Sequence, residues 1–310
     1  MFISKIELIA DQSVKLLRTS EMTYSEAINS EHPGYLVILI DQSYSMSEAF
    51  GDAIGGSKAQ ACADAVNRIL REIGLASVKD GVVLNRCDIS VIGYGKSGDI
   101  VSNAFGGELA SQSVVSVGEL VKKCLRIENR KLKIPDGAGG YDELEDQLPV
   151  WIEANAGGGT PMAEAFEKAY KLIEKWIQNH QASFPPIVIN ITDGIANDQS
   201  GVKHAVSKLT QLSTNDGNTL ILNAHISGRE ASQIEFPSSS HQLPSGDTYA
   251  QFLYDISSVF PPMMRQNALD NEFTLNEGAK GFVYNADIKT MIYFLNIGTG
   301  SLTSERRVLP

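Results

Sequence analysis

Ile38-Leu39-Ile40-Asp41-Gln42-Ser43-Tyr44-Ser45-Met46-Ser47-Glu48 takes an apolar run straight into an aspartate, a set of serines and a methionine. Residues 37–40 are a short unbroken run of β-branched residues and leucine ending at a sudden polar cluster, the pattern of a fully buried strand. Asp41, Ser43 and Ser45 then alternate at a spacing of two, where a strand gives way to a loop. Three oxygen-bearing side chains from one turn suit a hard cation or a phosphate-transfer nucleophile better than a core. Alone, they are also compatible with a helix cap or turn cluster.

The chain around this stretch alternates helical and strand patterns, which predicts an α/β fold: a Rossmann-like, doubly wound, mostly parallel sheet flanked by helices. Residues 58–73 place Ala61, Cys62, Ala65, Val66, Ile69, Leu70 and Ile73 on one helical stripe. Residues 87–95 read as the next strand. The 96–149 segment is less regular, with a short strand expected at 122–128, and reads as an insertion over the sheet edge or top. Regular alternation resumes with a helix over 162–178, for which Pro161 suits the first turn. An apolar strand then ends at Asp193. A helix over 201–212, a strand over 218–227 and a helix over 247–259 follow, the last terminated by Pro261-Pro262. A final helix is expected near 288–296. The organisation expected is one domain over residues 35–260, an N-terminal extension over 1–34 packing on it, and a C-terminal extension over 261–310.

Twenty-six Lys and Arg against 37 Asp and Glu give a net charge of -11, which disfavours nucleic acid and anionic membrane as partners. A basic surface or a divalent cation is more compatible. Cys62, Cys87 and Cys124 are odd in number and lack the spacing of a zinc site or redox pair, so they read as reduced and mostly buried. Lys5, Glu7 and Asp11 interrupt any secretory core at the N-terminus, and no apolar run approaches the roughly 20 residues that span a bilayer. The Asn190-Ile191-Thr192 triplet falls in a predicted buried strand, unusable for glycosylation. These features predict a cytoplasmic location.

In a doubly wound sheet, ligands sit at the carboxyl ends of strands near the switch point. Three loops should meet there: Asp41 to Ser45, the Gly157-Gly158-Gly159-Thr160-Pro161 loop, and Thr192-Asp193-Gly194. Two carboxylates and three hydroxyls make an all-oxygen set, which selects Mg2+, Mn2+ or Ca2+ over zinc. Here the sequence resembles the von Willebrand factor A family, whose metal-ion-dependent adhesion site has an Asp-x-Ser-x-Ser element, then a threonine, then an aspartate. These match Asp41, Ser43, Ser45, Thr160 and Asp193, and Met46 follows the serine element as in many intracellular members.

The resemblance implies that Ser43 and Ser45 ligate Mg2+ (or Mn2+ or Ca2+) directly. Thr160 would bind directly or through water, and Asp41 and Asp193 mostly through water or hydrogen bonds. A partner protein would supply an acidic residue as the remaining ligand. With the 96–149 segment and the missing leader, it further implies the intracellular bacterial-type branch, whose members resemble tellurium-resistance and kinase- or phosphatase-associated adaptors. The protein is therefore expected to be a non-enzymatic adaptor in a stress-response or signalling complex. Two alternatives stand beside it. One is a Mg2+-dependent phosphatase with Asp41 as nucleophile, similar to haloacid-dehalogenase-like enzymes, although those need a second aspartate where Ser43 stands. The other is a structural subunit of an AAA-type ATPase complex.

His32, His180, His204, His225 and His241 show no metal-like spacing. Asp142, Glu143, Glu145 and Asp146 read as a solvated acidic loop. Tyr44 and Phe50 are either exposed partner contacts or packed against the insertion. Asn197 and Asp198 are expected to cap the next helix rather than rim the site.

Overall fold

A computed structural model describes residues 24–50, 56–97, 101–135, 141–226, 232–270, 275–286, 290, 291 and 294. Strand β1 (Gly34–Asp41) is followed by helix α1 (Lys58–Ala76), a small hairpin of β2 (Val78–Lys79) and β3 (Val82–Val83), and β4 (Cys87–Tyr94). Next come β5 (Val101–Asn103), β6 (Val115–Ser116), α2 (Val117–Lys122), β7 (Arg126–Pro135) and β8 (Tyr141–Val150). The chain continues through α3 (Met162–Ile177), β9 (Ile187–Thr192), α4 (Gln199–Leu209), β10 (Leu220–Ile226), β11 (Ile234–Glu235), α5 (Thr248–Asp255), α6 (Pro262–Asp270) and β12 (Phe282–Ala286).

The main sheet has the order β11-β12-β10-β9-β1-β4-β5, with β6 also on β4. The five strands from β12 to β4 run parallel, and β11, β5 and β6 are antiparallel at the edges. This is the expected doubly wound α/β architecture. Every residue of β1 is buried, and the alternation hidden in its unbroken apolar run appears in the packing. Leu36, Ile38 and Ile40 join one core with α1, whereas Tyr35, Val37 and Leu39 join a second core with α3, α4 and α5. A strand covered on both faces calls for apolar residues at nearly every position.

The second face also buries a polar row. The Tyr94 hydroxyl donates to Asn190 Oδ1 at 2.8 Å, Asn190 Nδ2 to Asn223 Oδ1 at 3.0 Å, and Asn223 Nδ2 to Ser257 Oγ at 2.9 Å. Each group finds a partner, which offsets the cost of taking it out of water. Cys62 and Cys87 are buried and Cys124 half-buried, all three unpaired.

The 101–150 region departs from the expected pattern. The short strand expected at 122–128 is the end of α2 and the start of β7, and β7 and β8 form a long antiparallel hairpin from Arg126↔Val150 to Pro135↔Tyr141. Its strands are rich in charged residues, so they lack the apolar alternation that marks a half-buried strand. Buried Asn67 anchors the hairpin base to α1. Its Oδ1 accepts the N–H groups of Trp151 at 2.9 Å and Ile152 at 3.2 Å, and its Nδ2 donates to the Ile152 carbonyl at 3.0 Å.

Toward the C-terminus, the expected 247–259 helix is shorter, ending at Asp255, and Pro262 opens α6 instead of closing α5. Proline is as suited to a first helical turn as to a stop. β12 lies within the main sheet, between β10 and β11. Of the helix expected near 288–296, only Thr290, Met291 and Phe294 are described, all helical and buried. From the N-terminal stretch, the Tyr24 N–H donates to the Asp216 carbonyl at 3.1 Å and its ring meets Phe184 edge-on. Residues 1–23 lie outside the described residues.

Candidate metal centre

The chain leaves β1 toward β4 on one side and returns through β9 on the other, so the switch point lies at the carboxyl ends of these strands. Asp41, the last residue of β1, is fully buried. Its Oδ1 accepts the Ser43 N–H at 2.8 Å, and its Oδ2 accepts the Thr192 hydroxyl at 2.6 Å. Burial pushes the Asp41 carboxyl up to about 6; the hydrogen bonds from Ser43 and Thr192 oppose this, and nearby Asp193 adds to it. A divalent cation would relieve that desolvation by favouring the ionised form.

Ser43 and Ser45 belong to a tight turn after β1, with Ser45 inside the one-turn 3-10 helix Tyr44–Ser47. Their hydroxyls stand 3.1 Å apart, and Ser45 Oγ donates to Asp193 Oδ1 at 2.7 Å. The Thr160 loop lies against this turn. Tyr44 N–H donates to the Gly158 carbonyl at 2.8 Å, and Gly157 N–H to the Gln42 carbonyl at 2.9 Å. Glycine is required at the crossing with β4: Gly95 has φ of +94°, and a Cβ there would lie 2.2 Å from the Gly159 carbonyl oxygen.

All five expected side chains therefore meet. Thr160 is tied in from β9's side: its carbonyl accepts the Asn197 N–H at 3.1 Å, and its own N–H donates to Asn197 Oδ1 at 3.3 Å. A Cβ on Gly194 would lie 3.4 Å from Thr160 Oγ1, 3.5 Å from Asp41 Oδ2 and 3.6 Å from Ser45 Oγ. Three oxygens from two loops, Asp41 to Ser45 and the Thr160 loop, thus face one spot that a glycine of the third loop leaves open. Among the described residues, no three His, Cys, Asp or Glu side chains gather as a metal cluster. The donor set here is mostly hydroxyl, and its oxygen chemistry suits a hard cation.

Asp198 caps α4, accepting the Gly201 N–H at 2.9 Å, whereas Asn197 clamps the Thr160 loop rather than capping the helix. Tyr44 is 73% exposed beside the site, and so is Ile195 at 61%, while Phe50 is buried in the core. Asp146 of the acidic stretch pairs with Arg71 at 2.7 Å.

One participant escaped the sequence reading. Lys58, the first residue of α1, sends Nζ to Asp193 Oδ2 at 2.8 Å and to Glu48 Oε2 at 2.7 Å. Burial works against the charged ammonium, but the bonds to Asp193 and Glu48 outweigh it and hold its pKa above the ordinary lysine value. The signal was present: a lysine at a helix start, where acidic residues are favoured.

No protein-family model matches the chain, and comparison with curated proteins finds no match. Among solved structures, it is similar to manganese-loaded TRAP protein from Plasmodium vivax, with 15% identity over 86% of this chain and 72% of that one and a TM-score of 0.40. It is also similar to the pilus adhesin SpaC from Lactobacillus rhamnosus GG, with 12% identity over 87% of this chain and 30% of that one and a TM-score of 0.41. A third is the vWF domain of the pili tip protein Mfa5 from Porphyromonas gingivalis, with 16% identity over 53% of this chain and 38% of that one and a TM-score of 0.24.

Proposed function

We propose that this protein is a metal-dependent protein-interaction module, binding Mg2+ through Asp41, Ser43, Ser45, Thr160 and Asp193 and using it to engage an acidic side chain of a partner. The convergence of these five side chains at the sheet's switch point carries the reading. Ser43, Ser45 and Thr160 would face the ion, with Asp41 and Asp193 completing its surroundings. Hydroxyls donate little negative charge, so a bound ion would retain the electrophilicity to take a carboxylate from outside. Exposed Tyr44 and Ile195 offer apolar contact to the molecule that brings it.

The module is proposed to be a binding protein and not an enzyme. Both Asp41 oxygens already accept hydrogen bonds and the side chain is fully buried, which leaves it poorly placed for attack on phosphorus. An intracellular adaptor role in a stress-response or signalling complex belongs to the same proposal, and the three unpaired cysteines favour the reducing compartment that it requires. No described helix is long and apolar enough to cross a membrane.

Titrating Mn2+ as a paramagnetic reporter into wild type and Asp41→Ala tests the site. Binding by wild type with competition by Mg2+, lost in Asp41→Ala, is expected. Capture of a partner in Mg2+ that fails in EDTA and in Asp41→Ala would extend the result to interaction. Equal Mn2+ binding by both proteins would refute the assignment.

A further inference from the structure

Helix α1 begins with a residue that its own local physics disfavours. The partial positive charge of a helix N-terminus repels a lysine and attracts an aspartate or glutamate. Yet α1 has Lys58 at its first position and no acidic residue in its first turn, with Ser57 as the cap. The Lys58 side chain does not escape to water: it is 8% exposed, and its ammonium lies between Glu48 and Asp193. A break in a local rule that tertiary contacts sustain is the kind of conflict found at functional sites.

We propose that Lys58 is a built-in cation of the metal centre, which holds Asp193 in place when no divalent ion is bound and lowers the affinity for that ion through its charge. The inference rests on the cation-binding reading above. Asp193 offers two oxygens, and the geometry divides them: Oδ2 takes the ammonium, while Oδ1 takes Ser45, whose hydroxyl faces Ser43. The ammonium therefore sits on the oxygen turned away from the hydroxyl cluster, and the cluster stays open to an ion.

Without Lys58, Asp41 and Asp193 would be two like charges close together at the end of the sheet. Glu48 partners the ammonium, but its side chain is 63% exposed and screened by water, whereas Lys58 and Asp193 are buried. An incoming divalent ion therefore feels the lysine more than the glutamate. The consequence is a site that binds the ion weakly alone and more tightly once a partner carboxylate adds its negative charge.

The test compares Mn2+ binding, followed by the loss of the free-ion electron paramagnetic resonance signal, in wild type, Lys58→Gln, Lys58→Met and Lys58→Arg. The two neutral variants are expected to bind Mn2+ on the order of tenfold more tightly than wild type. Lys58→Arg, which keeps the charge, should stay near wild type. In EDTA the neutral variants should melt earlier than wild type, and Mn2+ should restore more of their stability. A purely structural lysine gives the opposite sign, because a disordered Asp193 binds the ion less well. Unchanged or weaker Mn2+ affinity in both neutral variants, with wild type binding, overturns the inference and leaves the metal centre standing. Absence of Mn2+ binding from all four proteins removes the metal centre and the inference together. Lys58→Gln keeps a hydrogen-bond donor and guards against a folding failure of Lys58→Met.

Discussion

Two of the places where carboxylates meet cations among the described residues do different work. At the switch point Lys58 pairs with Asp193, both nearly inaccessible, and the groups come from the start of α1 and the end of β9. At the β7–β8 hairpin Arg130 pairs with Asp64 of α1, both about a quarter exposed, and Arg126 pairs with neighbouring Glu128 and with Glu153. The hairpin pairs are partly exposed and partly local, so water reaches and screens them; surface pairs contribute about 0–1 kcal/mol, with the two-pronged Arg130–Asp64 contact at the upper end. The switch-point pair is dry, so each charge depends on its partners and the removal of one changes what the others can bind. Charge pairing fastens the hairpin to the body, while at the switch point it tunes a site.

The largest effect expected from this contrast is at Asp41. Asp41→Ala should weaken Mn2+ binding by on the order of a hundredfold or more, since the substitution removes a charge and the anchor for the Ser43 turn. Calorimetric titration measures it, and a loss below tenfold would place the ion elsewhere.

Next is His225, whose imidazole is pushed down to about 4, chiefly by burial and also by Lys58, against the attraction of Asp247 and Asp193. Between the ordinary histidine value of about 6.5 and the folded value, the unfolded chain binds a proton that the folded protein refuses. Stability should therefore fall as pH drops through that window, by up to about 3 kcal/mol at 1.36 kcal/mol per unit. The Asp41 carboxyl, raised by burial, works with the opposite sign when no divalent ion is bound. Urea denaturation of wild type against His225→Gln across pH 4 to 7 separates the two, and parallel curves would rule out the histidine contribution.

Asn67→Ala should destabilise by about 2 kcal/mol, because it orphans the buried N–H groups of Trp151 and Ile152. Its Mn2+ affinity should stay unchanged, which would keep the hairpin base and the switch point energetically separate. The smallest effect is expected at the hairpin itself: Asp64→Ala should cost less than about 1 kcal/mol and lose even that in high salt. A larger, salt-insensitive cost would erase the distinction between the two regions.

Much of this was legible in the order of residues. β1, α1, α3, β9 and β10 each carry a dense apolar signal, because a sheet covered on both faces demands one. Asp41, Ser43, Ser45, Thr160 and Asp193 could be picked out because polar residues at the ends of buried strands stand out against their background. The hairpin was not legible, since its strands are fastened by cations and carboxylates that read as loop in one dimension. Pro262 misled because the same ring both stops one helix and starts the next.

The sequence by itself determined the α/β class and nominated the five oxygen donors, because hydrophobic periodicity and strand-end chemistry are properties of short stretches. Only the tertiary structure decided that these donors converge, three of them around Gly194, that β12 enters the main sheet, and that Lys58 turns inward to Asp193. Those outcomes depend on segments distant in the sequence arriving at the same place, Lys58 and Asp193 more than a hundred residues apart, and on burial giving a single charge an influence that it would not have in water.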